Sequence, residues 1–92
     1  MLIKRGNSSF KASDLVITKA KNLKAKPAIS PDLQFGKNFT DHMFKIIWTK
    51  ENGWGTPEIK PYEPFSLDPT AGVFHYANSC FEGLKAYKNK KG

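Results

Sequence analysis

Ninety-two residues with a formal charge of +7 and one cysteine describe a single small domain at most, and a chain of that size hides only about 60–65% of its unfolded surface. Cys80 has no intrachain disulfide partner, which excludes a stapled secreted scaffold and fits a reducing compartment. No run approaches the roughly 18–20 apolar residues of a membrane-spanning helix, so no membrane partner is expected.

In chain order, Met1 to Lys11 carries basic and hydroxyl residues and no acid. This is the composition of a solvated tail with a faint likeness to an organellar presequence, and no apolar core of about 7–15 residues follows to make a secretory signal. Asp14 to Thr18 is a compact β-branched run that suits an edge strand. Lys19 to Pro31 reads as a linker, because Pro27 and Pro31 each push the preceding residue out of helical geometry. Residues 1–31 are therefore taken as a basic segment and linker that includes the edge strand at 14–18, and 32–92 as a partial small domain. His42 to Thr49 alternates so that Phe44, Ile46 and Trp48 share one apolar face, predicting a strand with these rings in the core. An Asn52-Gly53 turn follows, and Pro57 to Tyr62 is expected to return as its hairpin partner, with Pro57 and Pro61 confining it to an edge. Glu63 to Gly72 is an irregular connection. Val73 to Cys80 reads as a short helix or turn, Phe81 to Lys88 as a strand, and Asn89 to Gly92 as the start of a hairpin turn whose return strand is missing.

The charge pattern argues against a nucleic-acid module. Seven basic groups face one acid in residues 1–30 and four lysines crowd residues 85–92, but residues 31–84 hold four lysines against seven acids. A single-strand binder interleaves cations with stacking rings, whereas most of the rings here lie in the net acidic centre. No nucleic-acid partner is expected. Were the chain nonetheless a stand-alone basic module, oligonucleotide affinity would fall steeply with salt.

The side chains do not assemble a complete catalytic set. His42, His75, Cys80, Asp41 and Glu82 stand at no metal-ligand spacing. Cys80 beside aromatic residues reads as a small buried hydrophobe rather than a thiolate nucleophile. Thr40 and Asp41 are expected to bond the local backbone ahead of the strand. Gly53 and Gly55 lie in or just beyond the hairpin turn and do not open a helix, so neither makes a phosphate loop.

Several separated motifs nevertheless occur in order. Phe35-Gly-Lys-Asn-Phe-Thr-Asp-His-Met43, Trp48, Gly53-Trp-Gly, Pro57, Ile59, Pro61, Leu67, Pro69 and Phe74-His-Tyr-Ala, followed by Phe81-Glu-Gly-Leu-Lys-Ala-Tyr87, together resemble the N-terminal domain of eukaryotic branched-chain amino acid aminotransferases. Ser9 to Leu15 is similar to the opening of that family, and residues 19–31 are the least alike.

The resemblance implies an α+β fold, β-rich and incomplete: the small domain of the D-amino-acid-aminotransferase-like fold, truncated at its C-terminal end. It implies a homodimeric, pyridoxal-phosphate-dependent parent, cytoplasmic or mitochondrial, that moves an amino group from leucine, isoleucine or valine to 2-oxoglutarate. Carried over by motif, Phe35, Tyr76 and Phe81 are the rings lining the pocket for the branched side chain. Gly83 lets backbone approach closely, and Glu82 takes local or interface hydrogen bonds. The Schiff-base lysine and most phosphate contacts of such enzymes lie in the larger domain, so no catalytic or cofactor-binding residue is assigned here. The chain alone is expected to bind no cofactor and to be inactive. An alternative reading is a short interaction form that pairs with full-length subunits.

Overall fold

The structure is a computed structural model that describes residues 9–92. The basic opening, where the tail or presequence reading falls, lies outside the described residues except for its last three positions. A 3-10 turn at Ala12–Asp14 comes first; the Asp14 carboxylate accepts from the Lys11 N–H at 3.1 Å and closes the turn. Five short strands follow: β1 (Val16–Ile17), β2 (His42–Lys45), β3 (Trp48–Thr49), β4 (Gly53–Trp54) and β5 (Glu58–Pro61). A second 3-10 turn spans Gly72–Phe74. The strand-rich character stands, while helical structure among the described residues is limited to these two turns.

β1, β5 and β2 form a three-stranded sheet in that order, with β1 parallel and β2 antiparallel to β5. The edge strand expected at residues 14–18 is present but shorter, because Asp14 is held in the preceding turn. β3 and β4 form a separate antiparallel pair, with Trp48 opposite Trp54 and Thr49 opposite Gly53. Asn52 donates its N–H to the Thr49 hydroxyl at 3.1 Å, and Gly53 takes φ +68°. A three-residue loop closed by a left-handed glycine matches the right-handed twist of the two strands it joins.

Three expectations change. The strand at 42–49 is split, because the Gly55 N–H reaches the Ile47 carbonyl at 2.7 Å and draws Ile46 and Ile47 out of the ladder. A Cβ on Gly55 would sit 3.1 Å from that carbonyl oxygen, so the close approach relies on glycine. The partner of β3 is consequently Gly53–Trp54, while the expected return of residues 57–62 is met on the first half of the strand, where β5 pairs antiparallel with β2.

β5 is also central rather than an edge, in spite of its prolines. Its register explains this. The Tyr62 N–H bonds the Asp41 carbonyl, which makes His42 and Pro61 a pair that exchanges no hydrogen bond. The carbonyls of Pro57 and Ile59 face β1, where they accept from Val16 and Thr18 at 3.0 and 2.8 Å. The odd positions of β5 thus address a two-residue partner, and neither proline is asked for the N–H it lacks.

Finally, residues 77–89 form no regular element, where a strand was expected at 81–88. A strand needs a partner ladder, and none is offered to this segment among the described residues. The turn at its end does form, with the Gly92 N–H on the Asn89 carbonyl at 3.0 Å.

Among the described residues only Gly53 and Pro57 are buried, and no aliphatic or aromatic side chain beyond the Pro57 ring is. Phe44 and Trp48, expected in a core, are 55% and 56% exposed. The chain exposes 9721 Å², whereas a compact protein of its mass exposes about 5,400 Å² and the fully unfolded chain about 15,000 Å².

Candidate functional site

The segment 68–78 folds largely on itself. The Asp68 carboxylate accepts from the Thr70 N–H at 2.8 Å and from its hydroxyl at 2.5 Å, and the Asp68 carbonyl accepts from Ala71 at 2.9 Å. The Thr70 hydroxyl, followed by its N–H, holds the Asp68 carboxyl below its ordinary range. The chain then enters the 3-10 turn, where Gly72 accepts from both His75 and Tyr76. His75 Nε2 lies 2.7 Å from the Pro69 carbonyl, and since a carbonyl only accepts, this nitrogen carries the proton. The Phe74, His75 and Tyr76 rings follow edge to face at centroid distances of 6.3 and 6.4 Å. Asn78 packs over Gly72, so that a Cβ there would stand 2.8 Å from its Nδ2. The result is a tethered loop that presents Tyr76 outward, 78% exposed.

Phe35 opens a turn in which Gly36 takes φ +74° and the Lys37 N–H meets the Gln34 carbonyl at 3.4 Å. Phe35 and Phe81 are fully exposed, and among the described residues no ring contact joins either of them to Tyr76. The chain by itself thus presents the three rings separately. Cys80, expected to be buried, is exposed, because the segment around it forms no regular element and packs on nothing among the described residues. A Cβ at Gly83 would meet open space, so no close backbone approach exists there among the described residues.

Two further aromatic contacts, between residues distant in sequence, were not anticipated from the pattern. Phe39 stacks on Tyr62 at 5.7 Å and 23°, with the Lys24 ammonium 5.1 Å from the Tyr62 centroid. Phe10 meets Trp54 edge-on at 5.6 Å. Both contacts join residues far apart in sequence, and the local periodicity carried no signal for them.

An open apolar groove of about 860 Å³ is lined by Ile46, Ile47, Phe65, Leu67 and Val73. Glu63 lies at its margin, 2.5 Å from the Lys60 ammonium and 3.9 Å from that of Lys45. The hydrogen bond from Lys60 lowers the Glu63 pKa, and the reciprocal bond raises that of Lys60. An ammonium held in its charged form is a poor nucleophile. Among the described residues, no group of three His, Cys, Asp or Glu side chains lies close enough to hold a metal ion.

No protein-family model matches the chain. Curated relatives do. The chain is 57% identical over 77 residues, 84% of its length, to the cytosolic branched-chain-amino-acid aminotransferase of Saccharomyces cerevisiae. It is 54% identical over 80 residues to the cytosolic enzyme of Rattus norvegicus and 48% identical over 80 residues to the enzyme of Dictyostelium discoideum, each match covering 87% of the chain. These matches cover 20%, 19% and 21% of the respective relatives. By its sequence the chain belongs with the branched-chain-amino-acid aminotransferases, spanning about a fifth of the length of the relatives it matches.

Proposed function

We propose that these residues are part of the small domain of an enzyme that transfers the amino group of leucine, isoleucine or valine to 2-oxoglutarate with pyridoxal phosphate, working as a homodimer in the cytosol or mitochondrion. Identity of 57% over 84% of the chain carries this reading. In it, Phe35, Tyr76 and Phe81 supply the wall around the branched side chain. Each methylene taken out of water contributes about 0.8 kcal/mol, and rigid rings provide dry surface at little entropic cost. The exposure of all three rings supports a role toward a surface that other polypeptide completes.

The residues present do not fit the cofactor on their own. Every described lysine except Lys45 and Lys60 is exposed, and those two face Glu63, so none offers a sheltered, neutral amine. Among the described residues there is also no α-helix whose N-terminus would receive a phosphate. The proposal therefore gives this chain no catalytic residue and no activity by itself. The abundance of exposed apolar side chains favours a second reading as well, in which the short chain pairs with complete subunits.

The test has two arms. The purified chain mixed with pyridoxal phosphate, leucine and 2-oxoglutarate is expected to show neither a lysine-bound cofactor absorbance nor glutamate formation. In a chimaera, this chain's residues replace the matched segment of the yeast cytosolic enzyme. Leucine turnover is expected to survive, with the KM for leucine rising about tenfold in Phe35→Ala, Tyr76→Ala or Phe81→Ala, the loss of one to two buried methylenes' worth of contact. A folded, cofactor-loaded chimaera without turnover, or an unchanged KM in all three variants, would overturn the proposal.

A further inference from the structure

We propose that His42 is a proton-sensitive latch that holds the lysine-rich strap after β1 against the sheet. The strap has few other attachments. Its last ladder bond is from the Thr18 N–H to the Ile59 carbonyl at 2.8 Å. Beyond it, the Ala20 N–H donates to His42 Nε2 at 2.8 Å, and the Lys24 N–H donates to Asp41 Oδ1 at 2.8 Å. Two adjacent side chains at the head of β2 thus hold residues 22 and 17 positions away. The Thr40 hydroxyl donates to the His42 carbonyl at 2.7 Å and fixes the backbone from which the imidazole projects.

A backbone N–H can only donate, so Nε2 must keep its lone pair and the ring proton must sit on Nδ1. An imidazolium has no lone pair to offer. Once His42 is protonated, an N–H faces the Ala20 N–H, and the attraction becomes a clash of two donors. The groups facing the ring are few. Lys19 shares the apolar cavity of about 350 Å³ that His42 lines with Ile17, Ala20, Leu23 and Ile59. Lys24, Lys26 and Asp41 share a second hollow that His42 also lines. From β1 and β5 the same face receives Ile17, Ile59 and Pro61, while Glu58 and Lys60 alternate to the opposite face. Opening the latch would further expose Ile59, which is half-buried, beside Ile17, which is exposed already.

Nitrogen-15 NMR of the 92-residue chain tests this. Near neutral pH the imidazole is expected as one Nδ1–H tautomer with the Ala20 amide protected from exchange. Between about pH 8 and pH 5, the range in which histidine charging acts as a switch, Ala20 protection is expected to fall at least tenfold beyond the change in intrinsic exchange, while Met43 and Tyr62 keep theirs. His42→Gln, whose amide oxygen accepts without titrating, is expected to abolish that pH dependence, and His42→Ala to leave Ala20 unprotected throughout. An Nε2–H tautomer, an Ala20 amide already unprotected at neutral pH, or the same pH dependence in His42→Gln would overturn the latch.

Discussion

Gly53 and Ala77 share a left-handed backbone that suits one of them and crowds the other. Gly53 takes φ +68° in the loop that sets the β3–β4 register, and glycine accepts that conformation freely. Ala77 takes φ +48° directly after the loop that presents Tyr76, where its Cβ crowds the neighbouring carbonyl. Reciprocal substitutions should therefore act in opposite directions. Gly53→Ala is expected to weaken the hairpin by about 1 kcal/mol, seen as roughly fivefold lower exchange protection at the Gly55 amide. Ala77→Gly is expected to favour the turn at 72–76, by about 0.5–1 kcal/mol after the greater freedom of glycine in the unfolded chain is set against the relief of crowding. Its readout is slower exchange at the Tyr76 amide, which bonds the Gly72 carbonyl at 2.9 Å. Unchanged protection in both variants would show that the backbone at these positions is not what holds the two turns.

At the scale of elements, the strands were legible where chemistry is local and illegible where it depends on a partner. The β-branched pair at 16–17, the Asn-Gly turn and the final turn follow from residues adjacent in sequence. The split between β2 and β3 follows from the approach of Gly55 to Ile47, a contact that alternation cannot signal. Nor does the presence of Pro57 and Pro61 reveal which side of β5 their missing donors would face. The same strand ends in a charge cluster, where Lys60 and, at longer range, Lys45 meet Glu63. Glu63 is depressed from 4.5, so its share of this tie is complete above that value and is lost as pH falls through its lowered folded pKa. Lys60 is raised from 10.5, so its share is complete below that value and is lost as pH rises through the elevated folded pKa. The tie is thus whole between these limits, and added salt screens it because the side chains are partly exposed. A carbon-13 titration of the Glu63 carboxylate at low salt should give a midpoint below the ordinary one, moving upward in Lys60→Gln. An ordinary midpoint in the unsubstituted chain would show that the pair does not form in solution.

For the whole molecule, surface decides more than any single contact. The family was legible through the order of the motifs, whereas composition and spacing alone left the rings of the candidate site indistinguishable from core residues. Their exposure here has a common cause with that of Phe44, Trp48 and Leu84: the strands are short, and no second layer covers the three-stranded sheet among the described residues. The radius of gyration is 17.8 Å, where a compact chain of this length has about 12 Å. With 9721 Å² exposed, about a third of the unfolded surface is hidden instead of nearly two-thirds. Denaturant sensitivity scales with the surface released on unfolding. A urea titration followed by Trp48 and Trp54 fluorescence should therefore give a slope about half that of a compact domain of equal length. An apolar dye that fluoresces on hydrophobic surface should bind before any urea is added. The measurement should be run at several protein concentrations, because association would bury the same side chains. A steep transition independent of concentration, without dye binding, would mean that the chain closes its own core and would remove the case for an outside surface. A slope that steepens with concentration would place that surface on a second copy.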